Sequence, residues 1–257
     1  MAPTKGTYVY CVVAADTPPR LTRVPAGLPG TGKVRLLEAE PPLFVVVADA
    51  PLGRYGESAI NRGLADLEWV SRAAVAHEAV VEAFIGEPAV LPMKLFTIFM
   101  SDERALAHVR SDRRRIASLV KRVSNHQEWG VRVVLDRSRA TTRRPAKTAR
   151  PASSGSAYLA QKKAQRDAAA ELASNARQTV AALYDRLSSR ARDARRRPAS
   201  EMPLDGGPLL LDAAFLIPRA RAAAFQTLTA REAKALAPRG YGLTVTGPWP
   251  PYTFVQD

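Results

Sequence analysis

The chain has one cysteine, three histidines and no long apolar run, and each scarcity closes a class of function. A single cysteine excludes an intramolecular disulfide and leaves no thiolate set for zinc. Cys11 lies in Tyr8-Val9-Tyr10-Cys11-Val12-Val13, a β-branched and aromatic run in which it reads as a small buried hydrophobe. His77, His108 and His126 are widely separated and show no ligand spacing. No metal and no cofactor are therefore expected. Nothing approaches the roughly 20 consecutive apolar residues that cross a bilayer. The first residues lack the apolar core of a secretory leader, so a cytoplasmic protein with no transmembrane segment is expected. Phosphate chemistry is also missing. Gly27-Leu28-Pro29-Gly30-Thr31-Gly32-Lys33 lacks the glycine spacing and the Ser or Thr after lysine that a phosphate loop requires. Gly53 and Gly56 are ordinary turn residues.

What is present suits a globular protein. Apolar residues make up 46% and charged residues 24% of 257 positions, enough for a substantial core in two domains. The net charge of +14 attracts anionic surfaces and names a sign rather than a partner. No paired acid and base stand out. His77-Glu78 are neighbours on an expected helix and so point in different directions, His108 follows Asp102-Glu103 without a nucleophile, and Asp136, Asp212 and Glu232 form no recognisable constellation. A non-enzymatic protein is expected.

Strands are expected at 7–14, at 34–39 and 43–48 across Glu40-Pro41-Pro42, and at 90–99, where Pro92 implies an edge, a bulge or an early position. Leu64, Leu67 and Val70 or Ser71 follow helical spacing, Ala74, Val75, Val80, Val81 and Phe84 continue the apolar surface on a second segment, and Ser101-Asp102-Glu103 has the polar cap and acidic first turn of a helix with Leu106, Val109, Ile116, Leu119, Val120 and Val123 inside. A strand at 130–136 opens a second domain. It is followed by a basic loop at about 137–154, then by a long helix capped by Ser154 or Ser156 and facing inward through Leu172, Ala176, Val180, Leu183, Tyr184 and Leu187. That helix is expected to run through Arg195-Arg196-Arg197 to Pro198. A core strand at 209–217, a helix at 219–236 and a last strand at 241–246 follow. The expected class is α+β in two domains. Residues 1–126 form the first, and 127–246 form a modified ferredoxin-like domain with a small sheet and crossover helices. Residues 247–257 make a Pro/aromatic tail at the domain interface.

Tyr8 to Val13, His77-Glu78 followed by Val90-Leu91-Pro92-Met93-Lys94-Leu95-Phe96-Thr97-Ile98-Phe99, Gly155-Ser156-Ala157-Tyr158-Leu159, Leu211 to Ile217 and Gly247-Pro248-Trp249-Pro250-Pro251-Tyr252-Thr253-Phe254-Val255 occur in this order. Together they resemble the GvpL/GvpF family of gas vesicle proteins over nearly the whole chain. Two positions depart from that family's pattern. The family usually has Arg and then Gly-Thr after Val-Leu-Pro, whereas here Lys94 keeps the charge and Leu95-Phe96-Thr97 lacks the glycine; Asp212 stands where Asn is common.

The resemblance implies an accessory protein of gas vesicle assembly, located at the gas vesicle or in the cytoplasm, that binds the small shell protein GvpA and other accessory proteins during nucleation or growth. Trp249, Tyr252, Phe254, Lys94, Arg143 and Arg144 are the candidate partner-binding or interdomain residues. The prolines stiffen the tail, so its aromatics either pack between domains or meet a partner. The alternative is a basic RNA-binding protein with a ferredoxin-like domain. Its arginine-rich segments lack the interleaved aromatics that stack bases, and no specific nucleic acid is expected.

Overall fold

The computed structural model describes residues 4–136, 155–198 and 207–256. The basic segment 137–154 with Arg143 and Arg144, and the capping side chains of Ser154 and Ser156, lie outside the described residues. The chain divides into two compact units, Met1–Glu128 with Pro248–Asp257, and Trp129–Gly247.

The first unit is built on β1 (Lys5–Ala14), whose β-branched and aromatic run occupies the centre of an antiparallel sheet. β2 (Arg35–Glu38) pairs with β3 (Leu43–Pro51), β3 with β1, and β1 with both β4 (Ala89–Pro92) and β5 (Ile98–Phe99). A strand alternates faces with period two, yet Tyr8, Tyr10, Cys11, Val13 and Ala15 all enter one core cluster. A bulge accounts for this. The pairing runs from Val9 opposite Val47 directly to Cys11 opposite Val46, so the extra residue shifts the phase by one and turns both Tyr10 and Cys11 inward. Burial pushes the Cys11 thiol far above its usual range, as befits a packing residue.

Two short helices, α1 (Leu52–Tyr55) and α2 (Glu57–Gly63), lead to α3 (Leu67–Glu82), whose N-cap Asp66 accepts from the Trp69 amide. α3 buries Ala73, His77, Val80 and Val81, with Phe84 just beyond it. Leu64, Leu67 and Val75, placed on the apolar face from spacing alone, are exposed instead, Leu67 at 79%. The large rings of Tyr8 and Tyr10 leave room opposite them for Ala73 and a flat imidazole, and that fit fixes the rotation of the helix. The expected single strand at 90–99 is also broken. It stops at Pro92 and resumes as the two-residue β5, because position 96 takes a left-handed backbone (φ 64°). The expected helix after Ser101 is two helices, α4 (Asp102–Ser111) and α5 (Arg113–Val123), meeting at Asp112.

The second unit follows the order β6 (His126–Leu135), α6 (Gly155–Ser188), β7 (Asp193–Arg196), β8 (Leu209–Pro218), α7 (Ala222–Leu236), β9 (Tyr241–Trp249). Its sheet order is β7-β8-β6-β9. This is a complete β-α-β-β-α-β unit, whereas the expected pattern had one strand fewer. The missing strand is β7. The long helix ends at Ser188 rather than running to Pro198, and Asp193–Arg196 pairs antiparallel with β8, Asp193 opposite Leu216. Charge hid it, since an edge strand can carry arginines that a central strand cannot. Arg196 spreads over the Tyr184 ring at 4.4 Å. The core holds Trp129, Val131, Val133, Ala176, Val180, Leu183, Leu187, Phe215 and Phe225, and each fully buried large side chain contributes about 1.5–3 kcal/mol. The long helix thus packs through the predicted Ala176–Leu187 stripe, while Tyr158 and Leu159 in its first turns are exposed.

Candidate functional site

Within the first unit, the C-terminal segment Pro248–Asp257 returns to the same compact body as β1, α3 and α5. After Pro250-Pro251 the chain forms one helical turn, α8 (Tyr252–Val255), rather than continuing extended. Glu128, 3% exposed, holds that turn. Its carboxylate accepts from the Thr253 amide at 2.7 Å and from the Thr253 hydroxyl at 2.6 Å. The Arg122 guanidinium donates to the Phe254 carbonyl at 3.3 Å. Charge-assisted bonds of this kind contribute about 1.5–3 kcal/mol each.

The aromatics of the tail therefore have different environments. Phe254 is wholly buried. Tyr252 packs against the core cluster of β1 and α3, and its hydroxyl is buried without a hydrogen-bond partner among the described residues; burial first, and then the nearby Glu78, raises its pKa well beyond the usual phenol range. Trp249, at the end of β9, is 37% exposed.

On the other face of β1 lies a cavity of about 380 Å³. Its apolar wall comes from Val12, Leu91, Phe99, Val109, Ile116, Leu119 and Val255, and its polar rim from Lys94, His108, Asp112, Arg115 and Gln256. Lys94 is exposed in the loop between β4 and β5. His108 lies beside Phe99, ring centroids 5.1 Å apart, and Arg115 pairs with Asp112 at 3.3 Å. Of the residues expected from sequence, Lys94 thus shares a groove with the end of the tail, whereas the Phe254 ring is inside the core. Sequence reasoning overlooked Glu128. A lone carboxylate in the strand run Glu128-Trp129-Gly130-Val131 was the available signal, because a charge inside a buried strand needs a partner.

The remaining titratable clusters are structural. His77 accepts a hydrogen bond from, or donates one to, the Tyr8 hydroxyl at 2.7 Å, depending on its tautomer, and stacks on Tyr10 at 5.6 Å. Burial pushes its pKa down to about 4, against a smaller pull from the Met93 backbone. Arg35 bridges Asp102 at 2.8 Å and Asp49 at 2.7 Å, and Thr7 donates to Asp102 at 2.7 Å. Those bonds, Arg35 first, hold Asp102 below the usual carboxylate range and tie α4 to β1, β2 and β3. The glycine-rich loop at 27–33 also has a packing role. Leu28 donates its amide to the Tyr10 hydroxyl at 2.9 Å, and a Cβ at Gly27 would overlap that hydroxyl.

Both departures from the family pattern are accommodated locally. The glycine expected before Thr97 corresponds to Phe96, which adopts the positive φ itself. Its ring stacks on Trp69 at 5.0 Å with an 18° interplanar angle, and its amide donates to Tyr8 at 3.2 Å. Asp212, 7% exposed, is matched by Arg132 at 3.1 Å and Arg197 at 3.6 Å.

Among the described residues no helix is long and apolar enough to cross a membrane. The family model for the gas vesicle synthesis protein GvpL/GvpF matches residues 6–256. The chain is 30% identical to gas vesicle protein L of Streptomyces sp. (strain CB03234), over 96% of this chain and 91% of that protein. In fold it is similar to the crystal structure of gas vesicle protein GvpF from Anabaena sp. PCC7120, with TM-score 0.71, 17% identity, and coverage of 98% of this chain and 97% of the other. GvpF from Microcystis aeruginosa aligns with TM-score 0.67 and 17% identity over 98% and 99% of the two chains. The α+β architecture with two antiparallel sheets is that of the GvpF structures, and the match over almost every residue places this chain in the GvpL/GvpF family of gas vesicle proteins.

Proposed function

We propose that this protein is a non-enzymatic accessory factor of gas vesicle assembly, acting in the cytoplasm and at the growing vesicle, and that it holds the shell protein GvpA while other accessory proteins are recruited. The observation that carries this reading is the groove of the first unit. An apolar wall of Val12, Leu91, Val109 and Ile116 under a rim of Lys94 and His108, with Arg115 paired to Asp112 beside them, suits an apolar segment bearing an acidic residue, the helix-in-groove mode of recognition. Membership of a gas vesicle family supplies the biological setting. Trp249 is the part of the tail that remains available to a partner. The RNA-binding alternative draws no comparable support, since Trp129, Phe215, Phe225 and Tyr241 of the ferredoxin-like unit are buried and cannot stack on bases.

The test is co-expression with GvpA and affinity capture. Lys94→Glu combined with His108→Glu should reduce captured GvpA at least tenfold and lower the yield of buoyant cells, with the melting temperature unchanged. Undiminished capture by that variant would remove the groove from the mechanism. Loss of capture in Trp249→Ala alone would move the contact to the tail.

A further inference from the structure

The second unit carries a cavity of about 550 Å³ that the groove reading does not use. Arg190, two residues past the end of α6, faces Arg221 and Arg231 from the beginning and third turn of α7, above a floor of Ala224, Phe225 and Leu228. Among the described residues no carboxylate lines it.

Several other arginines of this unit are matched. Arg132 and Arg197 serve Asp212, Arg186 serves Glu232 at 3.0 Å, Arg196 covers Tyr184, and Arg239 reaches Thr179 at 2.8 Å. In the cavity, the guanidinium groups of Arg190 and Arg221 have no partner among the described residues. Arg231 has only a 4.0 Å approach to Glu232, whose carboxylate Arg186 already occupies. Three cations directed at one partly apolar hollow, with no anion among the described residues, call for one from outside.

We propose that this cavity docks an acidic segment of a protein partner, in which two carboxylates flank an apolar side chain. The planar guanidinium fork matches a carboxylate with two parallel bonds, and the Ala224–Leu228 floor receives the apolar side chain. A free phosphate fits less well. The Ala222 amide at the start of α7 is spent on the Arg219 carbonyl, and the Thr227 hydroxyl donates to Ala223 at 3.0 Å, so neither reinforces the arginines as a donor. A nucleic acid would require an accessible ring, and Phe225 is 2% exposed. The inference stands whether or not the first unit binds GvpA.

Fluorescence anisotropy on the full chain at about 0.15 M salt, where weak charge-only contacts are screened, tests it. The probes are a labelled 20-residue helical peptide with Glu at i and i+4 around Leu, the same peptide with Gln for Glu, and a single-stranded RNA 20-mer. The Glu peptide should bind, and the Gln peptide should bind at least tenfold more weakly. Arg221→Glu with Arg231→Glu should weaken the Glu peptide at least tenfold, while Arg177→Glu on the exposed side of α6 leaves it within twofold. If the double variant melts early, Arg190→Glu, outside both helices, carries the same expectation. Equal binding of the two peptides, no binding of either, insensitivity to the arginine changes, or tighter RNA binding lost with the same arginines would each overturn the assignment.

Discussion

Mild acid should destabilise the first unit through His77. The imidazole is 3% exposed between Tyr8 and Tyr10, and burial lowers its pKa from 6.5 to about 4. Because the folded value is the lower one, the unfolded chain takes up the proton first. Stability is therefore lost as the pH falls through 6.5 and levels off below 4. At pH 5 the unfolded imidazole is almost fully charged and the folded one is mostly neutral, which amounts to about 2 kcal/mol lost relative to pH 7.5. Carboxylates also begin to titrate there, so the measurement needs a comparison. His77→Gln retains a side chain that can bond the Tyr8 hydroxyl but cannot take the proton. Urea denaturation of both proteins at pH 7.5, 6 and 5 should show the native protein ahead at pH 7.5 and the gap narrowing by about 2 kcal/mol at pH 5. A gap independent of pH would refute the reasoning, since the imidazole would then titrate alike in both states.

Phe96→Gly should be less damaging than Phe96→Ala by about 1 kcal/mol, because both delete the ring on Trp69 but only alanine retains the cost of the positive φ; thermal melts of the pair in one buffer decide it. Tyr252→Phe should be neutral or stabilising by up to about 1 kcal/mol, since it removes a buried hydroxyl with no partner, whereas Phe254→Ala should cost about 3–5 kcal/mol. Equilibrium denaturation in which Tyr252→Phe is the more damaging change would show that the hydroxyl is satisfied. Arg197→Met should cost about 1–3 kcal/mol by leaving the buried Asp212 with Arg132 as its remaining ion-pair partner among the described residues, and combining it with Asp212→Asn should recover part of that loss in the same measurement.

Much of the fold was legible because its determinants are local. The β-branched and aromatic run at 8–13, the Ser101 cap and the 176–187 stripe each specify an element without knowledge of the rest. The parts that were not legible depend on residues distant in sequence. α3 takes its rotation from Tyr8 and Tyr10, 69 and 67 positions before His77, so Leu67 and Val75 could not be placed in water from helical spacing alone. β7 is a strand because β8 lies beside it; as sequence, Asp193-Ala194-Arg195-Arg196 continues a basic helix. At the site, Lys94 and the tail were recognisable as segments, but the wall of Val109 and Ile116 and the Glu128 anchor exist only after α4, α5 and β6 are assembled.

The same dependence explains how this chain departs from its family's pattern without losing the fold. A side chain at the left-handed position 96 adds strain that glycine avoids, yet Phe96 is placed where its ring covers Trp69 and its amide meets Tyr8, two contacts of which glycine could make only the second. A carboxylate at 212 within a buried strand would be costly alone, yet Arg132 and Arg197 approach it from the adjacent β6 and from the residue after β7. In each case the compensating group comes from another element, so the substitution cannot be judged from its own segment. It follows that moving Phe96 or Asp212 into a relative lacking Trp69 or the two arginines should expose the cost that this chain hides.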